Sequence, residues 1–465
     1  MRNELKSLIL ATAVVGCGDS GGRGDSASAS ASATMTATMT PATLSDTTPT
    51  GDGTAEGTAT VTDSGVSNSD SQATGDSTTN DSAVSATDSD DGGFKSDLGK
   101  QPDFGPIGCG GGGMGGGDPD FSYIWIANSA QNTISKIDTQ TLQEKGRYWV
   151  RPDNVGNPSR TSVNLSGDVV TASRDGGFTK FHAVVDDCQD TNGIPGIQTS
   201  VDANMLPWDQ EECRAWHTPM AYISQRPAAW TQGTFNNATC KYENQKAWTS
   251  GNNLQNGTVD VLLVNGDNGA IEQLVTVSGI MADYYGIYGA AVDKQGNFWG
   301  SQLGQGYLVN INRETFAVKT WPMVAGGYGM TVDSKGYVWT CSSNASRFDP
   351  MTETWVTMTV GGNGGCMEDG KGTLYLGGYA NGVPSIVAVN TETLAVTGSY
   401  AVPQYTHGIS IDFYGYVWGV SMGTEAYRVD VDNGGTISTF TGLVGAYTYS
   451  DMTGFALSNV GTPSG

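Results

Sequence analysis

The chain has 465 residues and a formal net charge of −24, from 23 Lys+Arg against 47 Asp+Glu. Gripping phosphates needs a basic face, so nucleic acid is excluded as a partner. Gly reaches 66 residues, beside 11 Trp and 19 Tyr, which favours tight turns between aromatic strands over helices. The only histidines, His182, His217 and His407, leave little material for a multi-histidine metal centre.

The N-terminus reads as an export signal over 1–17. Arg2 and Lys6 precede the apolar run Leu8 to Val15, and Gly16-Cys17 ends it; the positive end stays inside while the apolar run enters the membrane. Gly16-Cys17 resembles a bacterial lipobox, which implies lipidation of Cys17 and a membrane partner through the lipid anchor. Residues 18–118 form the second expected segment. Between 21 and 90 lie 29 Ser+Thr, 10 acidic residues, one Arg and no aromatic residue. Nothing there offsets the entropy of ordering a backbone, so a disordered stalk is expected.

Residues 119–465 carry an internal repeat. Gly289-Ala-Ala-Val-Asp293-Lys-Gln-Gly296-Asn-Phe-Trp299 is matched by Gly329-Met-Thr-Val-Asp333-Ser-Lys-Gly336-Tyr-Val-Trp339. Gly365 to Tyr375 and Gly408 to Trp418 repeat it again. Each unit is an alternating strand, an Asp-x-x-Gly turn and a second strand ending on an aromatic residue, followed by third and fourth strands. Four antiparallel strands per repeat make a propeller blade. The expected fold is therefore an all-β, seven-bladed β-propeller, or six-bladed if 183–258 is only an insertion. Thr453 to Ser458 repeats the inner-strand pattern and is expected to close the ring beside Trp125, removing its free edges. Trp125, Trp248, Trp299, Trp339 and Trp418 recur at one repeat position and read as packing between blades, with a sugar-stacking platform as the alternative.

On these motifs the chain resembles the virginiamycin B lyase-like (streptogramin lyase-like) propellers and, more loosely, the NHL family. Arg347-Phe348-Asp349-Pro350 matches the third-strand motif of those repeats. The resemblance implies that the residue before each inner-strand Gly lies at the mouth of the central channel: Tyr288, Tyr328, Gly364, His407 and Thr453. In the lyases catalytic histidines sit at such positions, so His407 is a catalytic candidate and, with Tyr288 and Tyr328, a ligand-binding one. The family's acid positions hold Gln302, Ser342, Gly378 and Ser421, and a base without an acid or metal partner is poor support for lyase chemistry.

Without Cys17, six cysteines remain in an exported chain, and disulfides are expected. The repeat places Cys341 and Cys366 at facing ends of neighbouring blades. Cys188 and Cys213 bracket a polar stretch within the Cys-rich insertion at about 183–245, leaving Cys109 and Cys240. Within that stretch Asp190-x-Asn192-Gly193 resembles the start of a calcium loop, with Asp186, Asp190 and Asn192 as candidate ligands and Glu211 or Glu212 nearby. A plain stapled loop is the alternative, because Cys188 takes the usual first ligand position and Thr199 replaces the closing Glu. No other cofactor is expected. The sequence thus describes a lipid-anchored protein at the outer membrane or cell surface, whose propeller binds a protein or polysaccharide. A metal-dependent lyase or lactonase-type hydrolase is the alternative.

Overall fold

The computed structural model describes residues 122–461, except residues 240, 254–257 and 450. The expected signal peptide, Cys17, the stalk, Cys109 and Cys240 lie outside the described residues. Blade 1 contains Tyr123–Asn128, Thr133–Asp138 and Glu144–Trp149. Blade 2 runs from Pro158–Val163 to Arg214–Thr218, blade 3 from Gln225–Trp230 to Ile271–Val277, and blade 4 from Ile287–Val292 to Val318–Pro322. Blade 5 runs from Gly329–Val332 to Thr354–Thr359, blade 6 from Gly362–Glu368 to Val396–Ala401, and blade 7 from Thr406–Ile411 to Thr436–Thr441. Blades 2 to 7 are four-stranded antiparallel sheets, and their inner strands neighbour one another in sequence order around a central channel. The chain is a seven-bladed β-propeller.

Blade 3 escapes a simple repeat count because the hairpin of Thr234–Asn236 and Lys241–Glu243 separates its first two strands. The Cys188 to Cys213 stretch instead joins the third and fourth strands of blade 2. The sequence's single insertion at about 183–245 therefore spans the end of one blade and the start of the next.

Two uses of glycine explain the repeat. At the Asp-x-x-Gly turns, Gly296, Gly336 and Gly415 take φ of 76°, 88° and 82°, which other residues adopt only with strain. At the inner strands, neighbouring backbones come very close. A Cβ on Gly329 would stand 2.6 Å from the Gly365 Cα, and one on Gly408 would stand 2.2 Å from the Thr448 carbonyl oxygen. The turn Asp also reaches the second strand, since the indoles of Trp299, Trp339 and Trp418 donate to the carboxylates of Asp293, Asp333 and Asp412 at 2.8–2.9 Å. Trp125 and Trp248 donate across blades, to the Gly167 and Gly296 carbonyls. All five tryptophans are buried, so they serve the core and offer no exposed stacking platform.

The C-terminal segment closes the ring, in a different register from the sequence reading. Ala446 pairs with Asn128, Tyr447 N–H donates to the Ala127 carbonyl at 3.0 Å, and Trp125 N–H donates to the Met452 carbonyl at 2.9 Å. Residues 446–449, 451 and 452 thus lie innermost in blade 1. Thr453 to Ser458 do not extend it: Gly454 turns the chain at φ 85°, and Phe455–Gly461 is an α-helix. The Asp451 carboxylate accepts the Gly454 and Leu457 N–H groups, both at 2.9 Å, and so holds that helix start. Leu457 and Val460 of the helix meet Val292, Val332 and Met367 at the far ends of the inner strands.

Candidate functional site

At the near ends of the inner strands one residue turns toward the channel mouth, in blades 4 and 7 by way of a β-bulge. The bulge falls between Ile287 and Gly289 in blade 4 and between Thr406 and Gly408 in blade 7, which presents Tyr288 and His407. Tyr328 holds this position in blade 5, and Tyr447 holds it in blade 1, one residue after the Ala446 to Asn128 pair. Thr453, the residue expected there from sequence, sits at the opposite end, donating to the Ile411 carbonyl. In blade 6 the position is Gly364, where a Cβ would stand 2.8 Å from the His407 carbonyl oxygen; its absence lets Tyr405 and His407 lean across.

The structure brings Tyr288, Tyr328 and His407 into one hydrogen-bonded cluster. The Tyr288 hydroxyl donates to that of Tyr328 at 3.2 Å and lies 2.6 Å from that of Tyr447. The Tyr328 hydroxyl also meets the Tyr447 hydroxyl and His407 Nε2. Tyr405 Oη lies 3.1 Å from His407 Nδ1 and donates to the Asn363 carbonyl at 2.6 Å. Both nitrogens of His407 are therefore engaged by phenols. Burial, then the charges of Arg160 and Arg174, hold its imidazole down at about 3, so it is neutral at physiological pH. Burial also pushes the Tyr447 phenol up to about 12. Tyr449 stacks on Tyr288 with centroids 5.5 Å apart.

Three arginines complete the mouth, and sequence reading missed all of them. Arg226 stands three residues before Ala229, the partner of Trp248, as Tyr288 stands three before Ala291, the partner of Trp299; it is blade 3's mouth residue. Arg160 pairs with Ala172 just after the blade 2 bulge, where Gly289 and Gly408 stand in blades 4 and 7. Arg174 follows the second strand of blade 2. Arg160 Cζ lies 3.4 Å from the Tyr449 ring centroid and 5.3 Å from that of Tyr288. Arg226 Cζ lies 5.0 Å from the same Tyr288 ring, and Arg174 Cζ lies 4.2 Å from that of Tyr447. For Arg160 and Arg226 the signal was a charged residue in place of the repeat Gly or aromatic on a buried inner strand.

The lyase acid positions are structural here. The Gln302 amide donates to the Met281 and Gly286 carbonyls, Ser342 to Gly326, and Ser421 to Glu425. The mouth offers a metal one imidazole, whose nitrogens are already hydrogen-bonded, among phenols and three cations. That donor set does not fit the divalent metal of a lyase-type centre.

Both expected disulfides are present, Cys341 to Cys366 across blades 5 and 6, and Cys188 to Cys213 at the neck of the insertion. Disulfides of this kind indicate an extracellular or periplasmic setting. Within the insertion, carboxylates bind backbone. Glu212 accepts the N–H groups of Thr191, Asn192 and Gln198, and Glu211 those of Ser200 and Cys213. Asp190 and Asn192 accept the Gly196 and Ile194 N–H groups, and Asp186 is exposed. The acidic cluster that does assemble among the described residues is Asp168, His182 and Asp187. Lys180 lies 2.9 Å from Asp168, and Lys241 pairs with Asp187.

No family model and no curated protein matches the sequence. Among solved structures the chain is similar to virginiamycin B lyase from Staphylococcus aureus, at 13% identity over 62% of this chain and 84% of that one, with a TM-score of 0.40. It is also similar to a putative 6-phosphogluconolactonase from Bacteroides fragilis, at 12% identity over 70% and 97% of the two chains, TM-score 0.46. Apo AztD from Citrobacter koseri aligns at 10% identity over 70% and 96%, TM-score 0.42. The strand topology, independently of these similarities, defines the propeller.

Proposed function

We propose that this protein is an exported, lipid-anchored binding protein whose propeller takes a polysaccharide chain at the tyrosine-lined channel mouth. One observation carries the choice of binding over catalysis: His407, the candidate base at the mouth among the described residues, has both nitrogens satisfied by Tyr328 and Tyr405. A group so engaged and held neutral is suited to orienting a ligand, whereas a general base works best with a pKa near the operating pH. The aromatic surface supports a saccharide. Tyr379 stacks on Tyr405 at 5.5 Å with the rings 4° from parallel, and Tyr379, Tyr284 and Tyr285 are exposed.

Titration of the purified chain with oligosaccharides, read by tyrosine fluorescence, tests this reading. Tyr405→Ala and Tyr288→Ala should each weaken binding tenfold or more. Turnover of a lactone panel with Mg²⁺ or Ca²⁺, abolished by His407→Ala, would replace the binding reading with a hydrolase. The anchor is tested separately by mass spectrometry of the mature N-terminus, where an unmodified Cys17 would remove it.

A further inference from the structure

The mouth arginines stand apart in how their guanidinium groups are buried, not merely in lacking a carboxylate, since Arg214, Arg347 and Arg428 lack one too among the described residues and bond backbone carbonyls instead. Elsewhere in the chain Arg147 pairs with Glu144 and Arg151 with Asp153. Arg160, Arg174 and Arg226 have no carboxylate partner among the described residues. A guanidinium carries five N–H donors, and here each finds one protein acceptor: the Tyr449 carbonyl for Arg160, Asn157 Oδ1 for Arg174 and Ser224 Oγ for Arg226. Arg160 is 1% exposed and Arg226 6%. The Arg160 Nε and Nη2 and the Arg174 Nε are buried with no hydrogen-bond partner among the described residues.

Burying charges without counter-charge is costly, and buried unpaired donors add to that cost. Two of these cations share one ring, since Arg160 and Arg226 both lie over Tyr288. Arg174 and Arg226 are close enough that the charge of Arg226, after burial, lowers the Arg174 pKa. Cation–π contact with tyrosine offsets part of the cost but leaves the N–H groups unsatisfied. An oxyanion supplies what is missing: negative charge and several acceptor lone pairs in the planar geometry that guanidinium matches.

We infer that Arg160, Arg174 and Arg226 form an anion subsite of the channel mouth, which holds a carboxylate or sulfate group of the bound saccharide. This rests on the binding reading above and narrows it to acidic sugars. The site is a small cationic point on a chain of net charge −24, so its attraction is local and weakens with added salt.

The test uses the full chain, with Arg226→Gln and Arg174→Gln as variants; Arg160→Gln is secondary because Arg160 is fully buried. Trigalacturonate, its carboxyl-reduced neutral counterpart and a sulfated oligosaccharide are titrated calorimetrically. Sodium acetate and sodium sulfate are then compared with sodium chloride in thermal melts. The inference expects an acidic oligosaccharide to bind at least tenfold tighter than the neutral one. It expects that preference to vanish in both variants, and the acetate or sulfate rise in Tm to be larger in wild type than in either. The acid giving the larger preference, carboxylate or sulfate, identifies the group. Equal binding of neutral and acidic sugars, unchanged by Arg226→Gln, would overturn the anion subsite while leaving the saccharide site standing. A variant-sensitive response to acetate or sulfate, with no sugar bound at all, would keep the subsite and overturn the saccharide reading. An identical Tm rise in wild type and variants is a general salt effect and counts against the subsite.

Discussion

Tyr328 and His407 project from blades 5 and 7, 79 residues apart, yet the phenol hydroxyl meets Nε2 and the rings lie 4.4 Å centroid to centroid. Tyr405 donates its hydroxyl hydrogen to the Asn363 carbonyl, so it can only accept from His407 Nδ1. The network thus assigns the proton to Nδ1 and leaves Nε2 to accept from Tyr328.

A neutral imidazole so held gives a clear titration. In the unfolded chain His407 takes a proton near pH 6.5, and in the folded protein only near about 3. Between those values the unfolded state binds the extra proton. This contribution therefore favours folding above pH 6.5 and is lost as pH falls toward 3. Proton NMR should show the His407 imidazole untitrated at pH 5, and Arg174→Gln should raise its midpoint. Relative to wild type, His407→Gln should gain about 1–2 kcal/mol in going from pH 7 to pH 5, measured by urea unfolding at each pH. A His407 midpoint near 6 in the folded protein would contradict the buried cluster.

The turn carboxylates predict a second effect. Asp412 accepts the Tyr414 and Tyr416 N–H groups on Oδ1 and the Trp418 indole on Oδ2. Asp412→Asn turns an amide donor either toward the indole N–H or toward the turn backbone. It should cost about 1–3 kcal/mol, read as a lower urea midpoint with unchanged slope.

The disulfide between blades 5 and 6 spans 25 residues. Restricting an unfolded loop of that length contributes about 3–4 kcal/mol in the chain-entropy account. The Cys341→Ala/Cys366→Ala double variant should lose about that much stability, and a reductant should destabilise it less than it does the wild type.

Ring closure by residues 446–449, 451 and 452 distinguishes two truncations. A chain ending at 445 exposes the Tyr123–Asn128 strand as an edge and should lose cooperative unfolding and aggregate. A chain ending at 454 keeps the closing segment and loses only the helix. It should still fold, with a lower Tm and increased binding of a hydrophobic dye.

Much of this architecture is legible in sequence because its turns are chemically demanding. An Asp whose carboxylate serves the turn and a Gly at positive φ must recur wherever the same turn recurs, so blades 4, 5, 6 and 7 announce themselves. Closure was readable in kind and misplaced in position. Phe455 and Leu457 alternate as a strand would, whereas the turn at Gly454 and the hydrogen bonds of Asp451 and Thr453 to the first N–H groups start a helix there. The mouth was half legible. Tyr288, Tyr328 and His407 follow from the repeat, whereas Tyr447 belongs to a segment with no turn motif. Arg160 and Arg226 sit where the repeat itself lapses, in blade 2, where Arg takes the place of Gly, and in blade 3, which a hairpin divides.

The C-terminal helix has a consequence for any guest. It lies at the far ends of the inner strands, where Leu457 and Val460 share one buried cluster with Val292 and Val332. The two faces of the disc are therefore unlike: apolar and covered by the chain's own tail on one, phenolic and cationic on the other. A guest has reason to dock on the second face alone.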